Sequence, residues 1–393
     1  MRIAVVETVS HGGLLHYAVQ LADGLAGRGH DVEIIAPRGN ELERRSGPAR
    51  MRAVLAPPTL DSDKPQSRVG YLVRRAGIAG RLTRSWTRAL GVARTGHFDA
   101  VLLTGDNTQL ALNAAGAALL TRGSGRARVA AVCHNVRVFN RWGGDELHRS
   151  SSTTDALLRR WYPRLDAVFV HGDRSREEFR EIWPPSRLCV IPHGDESLFG
   201  DDAPPPAAEP RALFFGDWRK VKGLDVLMEA FDVLVERCPQ ARLTIAGTPA
   251  AADLDPEIVL RWAAGHGERV TVIDRYVPIE DVPALFGCAR VVVNPYLTGY
   301  QSGVVHLAMT MGRAVVASDV GDLGAAVRDG ETGLLVAPRD VAALAAAIER
   351  VLRDGALAAR MGAAGRTLVL SGSSWATVAE RVEQALLTPP HRG

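Results

Sequence analysis

A strand that cannot continue constrains this chain more than any other feature. Val291 to Val293 are β-branched and apolar, as in a buried strand. Asn294-Pro295 stops them, because proline has no N–H for a sheet ladder. A loop with Gly299 and Gly303 follows, and then Val304, Leu307, Ala308 and Met311 recur at helical spacing up to Gly312. Val315-Val316 opens the next strand. A strand therefore runs into a loop that feeds a helix N-terminus, which gathers unpaired N–H groups and the positive end of a helix dipole. That arrangement suits a phosphate. Ser302 adds a hydroxyl donor, and Gly303 lets the backbone approach closely.

The same alternation runs through all 393 residues. That length exceeds one ordinary core and implies two domains. Ile3 to Val6 is a strand, Ser10-His11-Gly12-Gly13 a loop, Leu14 to Arg28 a helix, and Val32 to Ala36 a second strand. This is a βαβ unit with a glycine-bearing first turn, but not G-x-G-x-x-G. Pro37-Arg38 stands where a ribose-binding acid would end the second strand, so a dehydrogenase is disfavoured. Glu7 ends strand one, either facing a site or simply exposed. Further strands are expected at Asp99 to Leu103, Val129 to Val132 and Ala167 to Val170, and Val190-Ile191-Pro192-His193-Gly194 closes the first half. Helices are expected at Thr108 to Leu120, Asp155–Trp161 and Ser175 to Ile182. The proline-rich stretch 200–210 reads as a linker. Beyond it come strands at Ala212 to Phe215, Arg242 to Gly247, Val270 to Ile273 and Gly333 to Val336. Helices are expected at Leu224 to Arg237, Val282–Cys288, Asp340 to Arg353 and Trp375 to Leu387.

Charge is uneven. Residues 1–200 hold 28 basic and 20 acidic side chains, and the rest hold 19 and 24. A basic first half points to an anionic partner. Lysine occurs only at 64, 220 and 222, so two of three fall in the turn Gly216-Asp217-Trp218-Arg219-Lys220-Val221-Lys222-Gly223. Guanidinium offers a forked contact to phosphate oxygens and ammonium a compact charge. Residues 68–94 carry seven arginines and no acid. Leu72, Ala76, Ala79, Trp86 and Leu90 share one helical face there, opposite Arg74, Arg81, Arg84 and Arg88. A surface helix and a docking face for anionic lipid headgroups both fit. Cys133, Cys189, Cys238 and Cys288 form no C-x-x-C pair, as in a reducing cytoplasm. No signal peptide or membrane-spanning run is expected. The triplets Asp61–Asp63 and Asp253–Asp255 fall in irregular stretches, so no metal site is expected.

These motifs together resemble the retaining GT-B glycosyltransferases of family four. The stretch from Asn294 to Arg313 resembles their donor-binding motif, and F-G-D-W-R-K-V-K-G resembles F-G-x-x-R-x-x-K-G. Many members carry two glutamates with seven residues between them, and those positions fall here on Gly299 and Leu307. The chain resembles the variant whose loop reads Q-S-G-V-V. The resemblance implies an α/β GT-B fold, with two facing Rossmann-like domains, parallel sheets and a C-terminal crossover helix. Residues 1–196 form the acceptor-binding domain, 197–210 the linker, 211–372 the donor-binding domain and 373–393 the helix returning to the first domain. It also implies transfer of a hexose-type sugar from a nucleoside diphosphate sugar to an unidentified acceptor hydroxyl. Configuration is retained by same-face substitution that the leaving diphosphate assists, with no metal or other cofactor. Arg219 and Lys222 clamp the diphosphate, with Gly12, Gly13, Ser302, Gly303 and Val304 around the phosphates. His134, in Cys133-His134-Asn135 at a strand end, reaches the transferred sugar. Gly247, Arg275, Tyr276 and Leu307 lie by the base and ribose, and His16, Arg137 and Trp142 by the acceptor. A cytoplasmic protein is expected, peripheral at a membrane if residues 68–94 dock there, with no nucleic-acid partner. A nucleotide-sugar epimerase, a phosphorylase and a non-catalytic partner subunit are the alternatives on the same fold.

Overall fold

The computed structural model describes residues 1–56, 77, 80, 84–85, 87–89, 91–92, 96–105, 127–137, 152–183, 187–200, 209–250 and 254–388. The expected helix at Thr108 to Leu120, Trp142, the Asp61–Asp63 triplet and most of 68–94 and 200–210 lie outside these residues. The chain divides into two compact units, one of Met1–Val138, Ser150–Pro192 and Trp375–Gly393, the other of Phe139–Arg149 and His193–Ser374.

In the first unit the strands are β1 (Arg2–Val6), β2 (Asp31–Pro37), β3 (Arg50–Leu55), β4 (Ala100–Leu103), β5 (Arg128–Val132), β6 (Ala167–Val170) and β7 (Leu188–Val190). They form one parallel sheet in the order β3-β2-β1-β4-β5-β6-β7. The described helices of this unit are α1 (Gly13–Gly27), α2 (Ser152–Trp161), α3 (Asp173–Ile182) and, from the end of the chain, α11 (Trp375–Leu387). Strand β3 was not anticipated. In its R-M-R-A-V-L two arginines are exposed and only Leu55 is buried, as suits an edge strand, so it lacks the apolar run of its neighbours.

The second unit holds β8 (Arg211–Phe215), β9 (Arg242–Ala246), β10 (Val270–Ile273), β11 (Val291–Asn294), β12 (Ala314–Ser318) and β13 (Gly333–Val336). They make a parallel sheet in the order β10-β9-β8-β11-β12-β13. Its helices are α4 (Leu224–Arg237), α5 (Pro256–His266), α6 (Val282–Gly287), α7 (Gly303–Thr310), α8 (Gly321–Ala326), α9 (Val341–Arg353) and α10 (Gly355–Gly372). The β8, β11 and β12 strands are buried on both faces, which is why they read as unbroken apolar runs. One face packs Phe214, Val293 and Val316 among Phe231, Leu234 and Ile348, and the other packs Leu213, Val292 and Val315 among Phe286, Val305 and Met309. Helices α5, α8 and α10 were also not anticipated.

Both sheets reverse their winding once, between β1 and β4 and between β8 and β11. In parallel α/β sheets the loops after such a pair of strands part to opposite faces and leave a crevice at the strand C-termini. The Gly-Gly loop follows β1. The lysine-bearing turn follows β8, and the N-P-Y-L-T-G-Y-Q-S loop follows β11.

Candidate functional site

The second unit's reversal is where the sequence motifs meet. Strands β8 and β11 pair through Ala212–Val291 and Leu213–Val292, so their exit loops emerge side by side. After β8 the chain turns through a 3-10 segment, Lys220–Lys222, and leaves by Gly223 in the left-handed region at φ 65°. Three successive contacts then join this turn to the β11 loop. A Cβ on Gly223 would stand 1.9 Å from the Pro295 carbonyl oxygen, so only glycine lets the two backbones approach this closely. The Leu297 N–H donates to the Val221 carbonyl at 2.9 Å. The Lys222 ammonium donates to the Tyr296 hydroxyl at 2.8 Å and lies 3.9 Å from the centroid of that ring. Two more glycines tighten the same sheet edge. A Cβ on Gly247 would meet the Gly216 carbonyl at 1.8 Å, and one on Gly321 the Gly299 carbonyl at 2.0 Å.

Ser302 is the N-cap of α7, with extended backbone, but its side chain makes no capping hydrogen bond. Instead its Oγ lies 3.0 Å from the Tyr296 hydroxyl, which also receives the Asn294 side-chain amide at 3.3 Å. The first-turn N–H groups of α7 are thus left without a side-chain cap, as a helix end that receives an anion requires. Arg219 is held in its turn by Asp217, with Nε 2.5 Å from the carboxylate and about a third of the side chain exposed. Gly303 and Val304 are half-buried at the start of α7.

Tyr296 was missed. It sits at the strand-ending Asn-Pro, where an aromatic residue reads as core, and it is only 3% exposed. Its role shows only when β8 and β11 are neighbours. A second omission is acidic. Glu196 is buried, and its Oε1 would lie 3.1 Å from a Cβ on Gly303, at the first turn of α7. A chain with no glutamate at 299 or 307 thus brings a carboxylate to the same helix end from another segment. The Glu196 N–H donates to Thr310 Oγ1 at 3.1 Å. Beside it the rings of His193 and His306 stack at 4.7 Å, and His306 Nδ1 lies 3.1 Å from the Ser302 carbonyl. Burial pushes His306 below its ordinary value, opposed by the Ser302 bond and the Asp195 charge.

The four residues expected near base and ribose have different surroundings. Arg275 lines a cavity of about 330 Å³ with Ile273, Val277, Leu285 and Cys288. Tyr276 is 38% exposed, whereas Leu307 is buried in the apolar core. Gly247 closes on Gly216, as described. Of the Asp253–Asp255 triplet, Asp255 caps α5 by accepting from the Glu257 N–H, which is a structural use of its carboxylate.

In the first unit, Gly12 takes φ 81° at the start of α1 and donates its N–H to Glu41 Oε1 at 2.6 Å. His16 Nε2 lies 2.7 Å from the same oxygen. Gly13 opens α1. Glu7 is not exposed. It is buried and accepts from the N–H groups of Thr8 and Val9 and the hydroxyl of Thr104, closing the ends of β1 and β4. His134 follows β5, and its Nδ1 is 3.1 Å from Nε2 of His171, which follows β6. Tyr17 packs edge-on against both rings, and burial pushes its phenol far above the ordinary range. His171 went unremarked, although V-F-V-H repeats the strand-then-histidine pattern of V-A-A-V-C-H. Arg137 is half exposed and pairs with Glu178 at 2.5 Å. Among the described residues no cluster of histidine, cysteine, aspartate and glutamate has metal-binding geometry, and no helix is long and apolar enough to cross a membrane.

Comparison with known proteins agrees with this geometry. Residues 11–195 match the model of glycosyltransferase family 4, and residues 209–354 that of glycosyl transferases group 1. The chain is 31% identical over 287 residues to a GDP-mannose-dependent α-(1-6)-phosphatidylinositol monomannoside mannosyltransferase of Mycolicibacterium smegmatis, covering 68% of this chain and 72% of that one. It is 32% identical over 255 residues to glycogen synthase of Mycobacterium tuberculosis, covering 63% of this chain. It spans 59% of that synthase and 46% of the D-inositol 3-phosphate glycosyltransferase of Nocardia farcinica, roughly half the length of such relatives. Among solved structures, sucrose-phosphate synthase of Thermosynechococcus elongatus superposes with TM-score 0.76 at 22% identity, over 98% of this chain and 97% of that one. Anabaena HepE in complex with UDP-glucose gives 0.71 at 16% identity, over 98% and 99%. Two parallel sheets, each reversing once, joined to matches across both halves, make this chain a GT-B-fold member of the family 4 glycosyltransferases.

Proposed function

We propose that the protein transfers a hexose-type sugar from a nucleoside diphosphate sugar to an acceptor hydroxyl with retention of configuration. The observation that carries this reading is the Lys222–Tyr296–Ser302 bridge at the β8/β11 reversal. It sets an ammonium, a hydroxyl and the uncapped start of α7 around one point, with Arg219 in the adjoining turn. A departing diphosphate gains charge at its bridging oxygen, and preorganised donors there stabilise it more as the bond breaks than before. In same-face substitution the leaving oxygen also accepts the acceptor's proton, so no protein nucleophile is needed. The side chains and amides meet the diphosphate's charge without a metal. His134, oriented by His171, is the residue we assign to the sugar. Arg275 and the cavity it lines are our candidate for the base. GDP-mannose appears in the name of the Mycolicibacterium relative and UDP-glucose in the Anabaena complex, which supports the donor class and leaves the base open.

Thermal-shift screening with UDP-, GDP- and dTDP-sugars identifies the donor, because a ligand bound only to the folded state raises the melting temperature. With that donor, Arg219→Ala and Lys222→Ala should each slow transfer by about 10²–10³-fold, the usual cost of removing one transition-state donor. Unchanged circular dichroism makes this a loss of chemistry, and full activity persists in excess chelator. Wild-type rates in either variant would refute the assignment, and loss of activity in chelator would refute metal independence. We further propose that the arginine-rich stretch 68–94 docks on anionic lipid from the cytoplasmic side. Its described residues include exposed Arg84 and Arg88 beside buried Ala89. Cosedimentation with phosphatidylglycerol vesicles but not with phosphatidylcholine vesicles is expected.

A further inference from the structure

The buried hydroxyl of Tyr296 has three polar neighbours, and donor counting orders its protons. The Lys222 ammonium, 2.8 Å away, can only donate. The Asn294 amide nitrogen, at 3.3 Å, also donates. A phenol has two acceptor positions and one proton, and these neighbours fill the acceptor positions. The phenol proton therefore goes to Ser302 Oγ at 3.0 Å. Ser302 accepts there, which leaves its own proton to give elsewhere. Its side chain does not spend that proton on capping α7, whose amides need acceptors and not donors.

We propose that Tyr296 is a positioning residue for diphosphate binding. By giving its proton to Ser302 and accepting from Lys222, it keeps both side chains as donors toward an anion at the start of α7. Without the phenol oxygen, the serine rotor could turn its proton inward and the lysine would lose its anchor. Three kinds of donor then face the phosphate, the ammonium, the hydroxyl and the first-turn amides, with the Glu196 carboxylate beside Gly303 as the acceptor they must outweigh. This rests on the nucleotide-sugar reading above and adds the residue that orders its phosphate end.

The test is calorimetric titration with UDP, GDP and dTDP, each beside its parent nucleoside. Wild type should bind one diphosphate, and Arg219→Ala should weaken it. Tyr296→Phe keeps the ring and should weaken the same diphosphate about tenfold, the effect of one charge-assisted hydrogen bond, with nucleoside affinity unchanged. Ser302→Ala should cost about as much, and the double variant no more than either alone, because the two act as one unit. Diphosphate affinity equal to wild type in Tyr296→Phe overturns the proposal, as do additive losses. An equal loss for nucleoside and diphosphate means a purely structural role and overturns it too. If Tyr296→Phe does not fold, wild-type diphosphate affinity in Ser302→Ala overturns it. A wild type that binds none of the three diphosphates overturns the functional reading with it. A loss in Arg219→Ala alone leaves that reading standing and removes only Tyr296.

Discussion

Gly223 shows how a residue with no side chain can fix a site. Its φ of 65° and the 1.9 Å that would separate a Cβ from the Pro295 carbonyl mean that alanine there must both strain the turn and push two loops apart. Gly223→Ala should cost about 2–4 kcal/mol in urea unfolding, the left-handed penalty plus the displaced backbone. It should also weaken nucleotide binding, because Lys222 moves with its neighbour. His306 gives a second expectation. Its folded-state value is lowered, chiefly by burial, so below about 6.5 the unfolded chain takes up protons that the folded chain resists. Stability from this group is fully present above that pH and declines below it. Urea midpoints at pH 7.5 and 5.5 should differ more for wild type than for His306→Gln. At this scale the basic candidates were legible as candidates. Arg219 and Lys222 stand in a dense cationic turn, and a strand-ended histidine marks His134. Tyr296, His171 and Glu196 were not, because each acquires its role from a partner 37 to 107 residues away or from a neighbouring strand.

Among elements, α10 best separates what a sequence displays from what packing requires. Its run G-A-L-A-A-R-M-G-A-A-G-R has poor intrinsic helicity because each glycine costs about 1 kcal/mol against alanine. The glycines serve contact instead. A Cβ on Gly362 would fall 2.0 Å from the Gly312 carbonyl, and one on Gly365 would fall 3.1 Å from Met309. Helix α10 thus lies directly on the end of α7 and braces that helix. Gly362→Ala should lower stability by about 2 kcal/mol or more despite improved propensity. Gly372→Ala, with nothing within 4 Å, should be neutral or gain at most about 1 kcal/mol. Paired chemical-denaturation curves decide it, and a stabilised Gly362→Ala would refute the close approach. Most of the remaining elements were read because apolar runs and turn residues agree along them. Strand β3 and α10 escaped because an edge position and a helix–helix contact both weaken that local signal.

At the scale of the molecule, the chain returns to its first unit at the very end. Helix α11 follows all six strands of the second unit yet belongs with the first, lying along α1. A Cβ on Gly24 would meet the Trp375 carbonyl at 2.7 Å, and the Trp375 ring lies 5.1 Å from Tyr17. Arg28 and His30 both reach Glu383, at 2.5 and 3.0 Å, and Arg187 donates to the Ala385 carbonyl at 2.8 Å. A chain ending at Ser374 should therefore expose the apolar face of α1 and destabilise the first unit. The second unit has its own core on both sheet faces and should keep its transition in urea. The ion pairs add a pH dependence whose sign is fixed. The hydrogen bond from Arg28, with the Arg28 and His30 charges, holds the Glu383 carboxyl below its ordinary range. Its contribution is complete above about 4.5 and fades as acid protonates the folded-state carboxylate. Hydrogen exchange of α11 amides, corrected for intrinsic rates, should accelerate between pH 6 and pH 3.5. Glu383→Gln should exchange faster at pH 6 and remove most of that acid response. An acid response preserved in the glutamine variant would assign the helix's attachment to its apolar face alone.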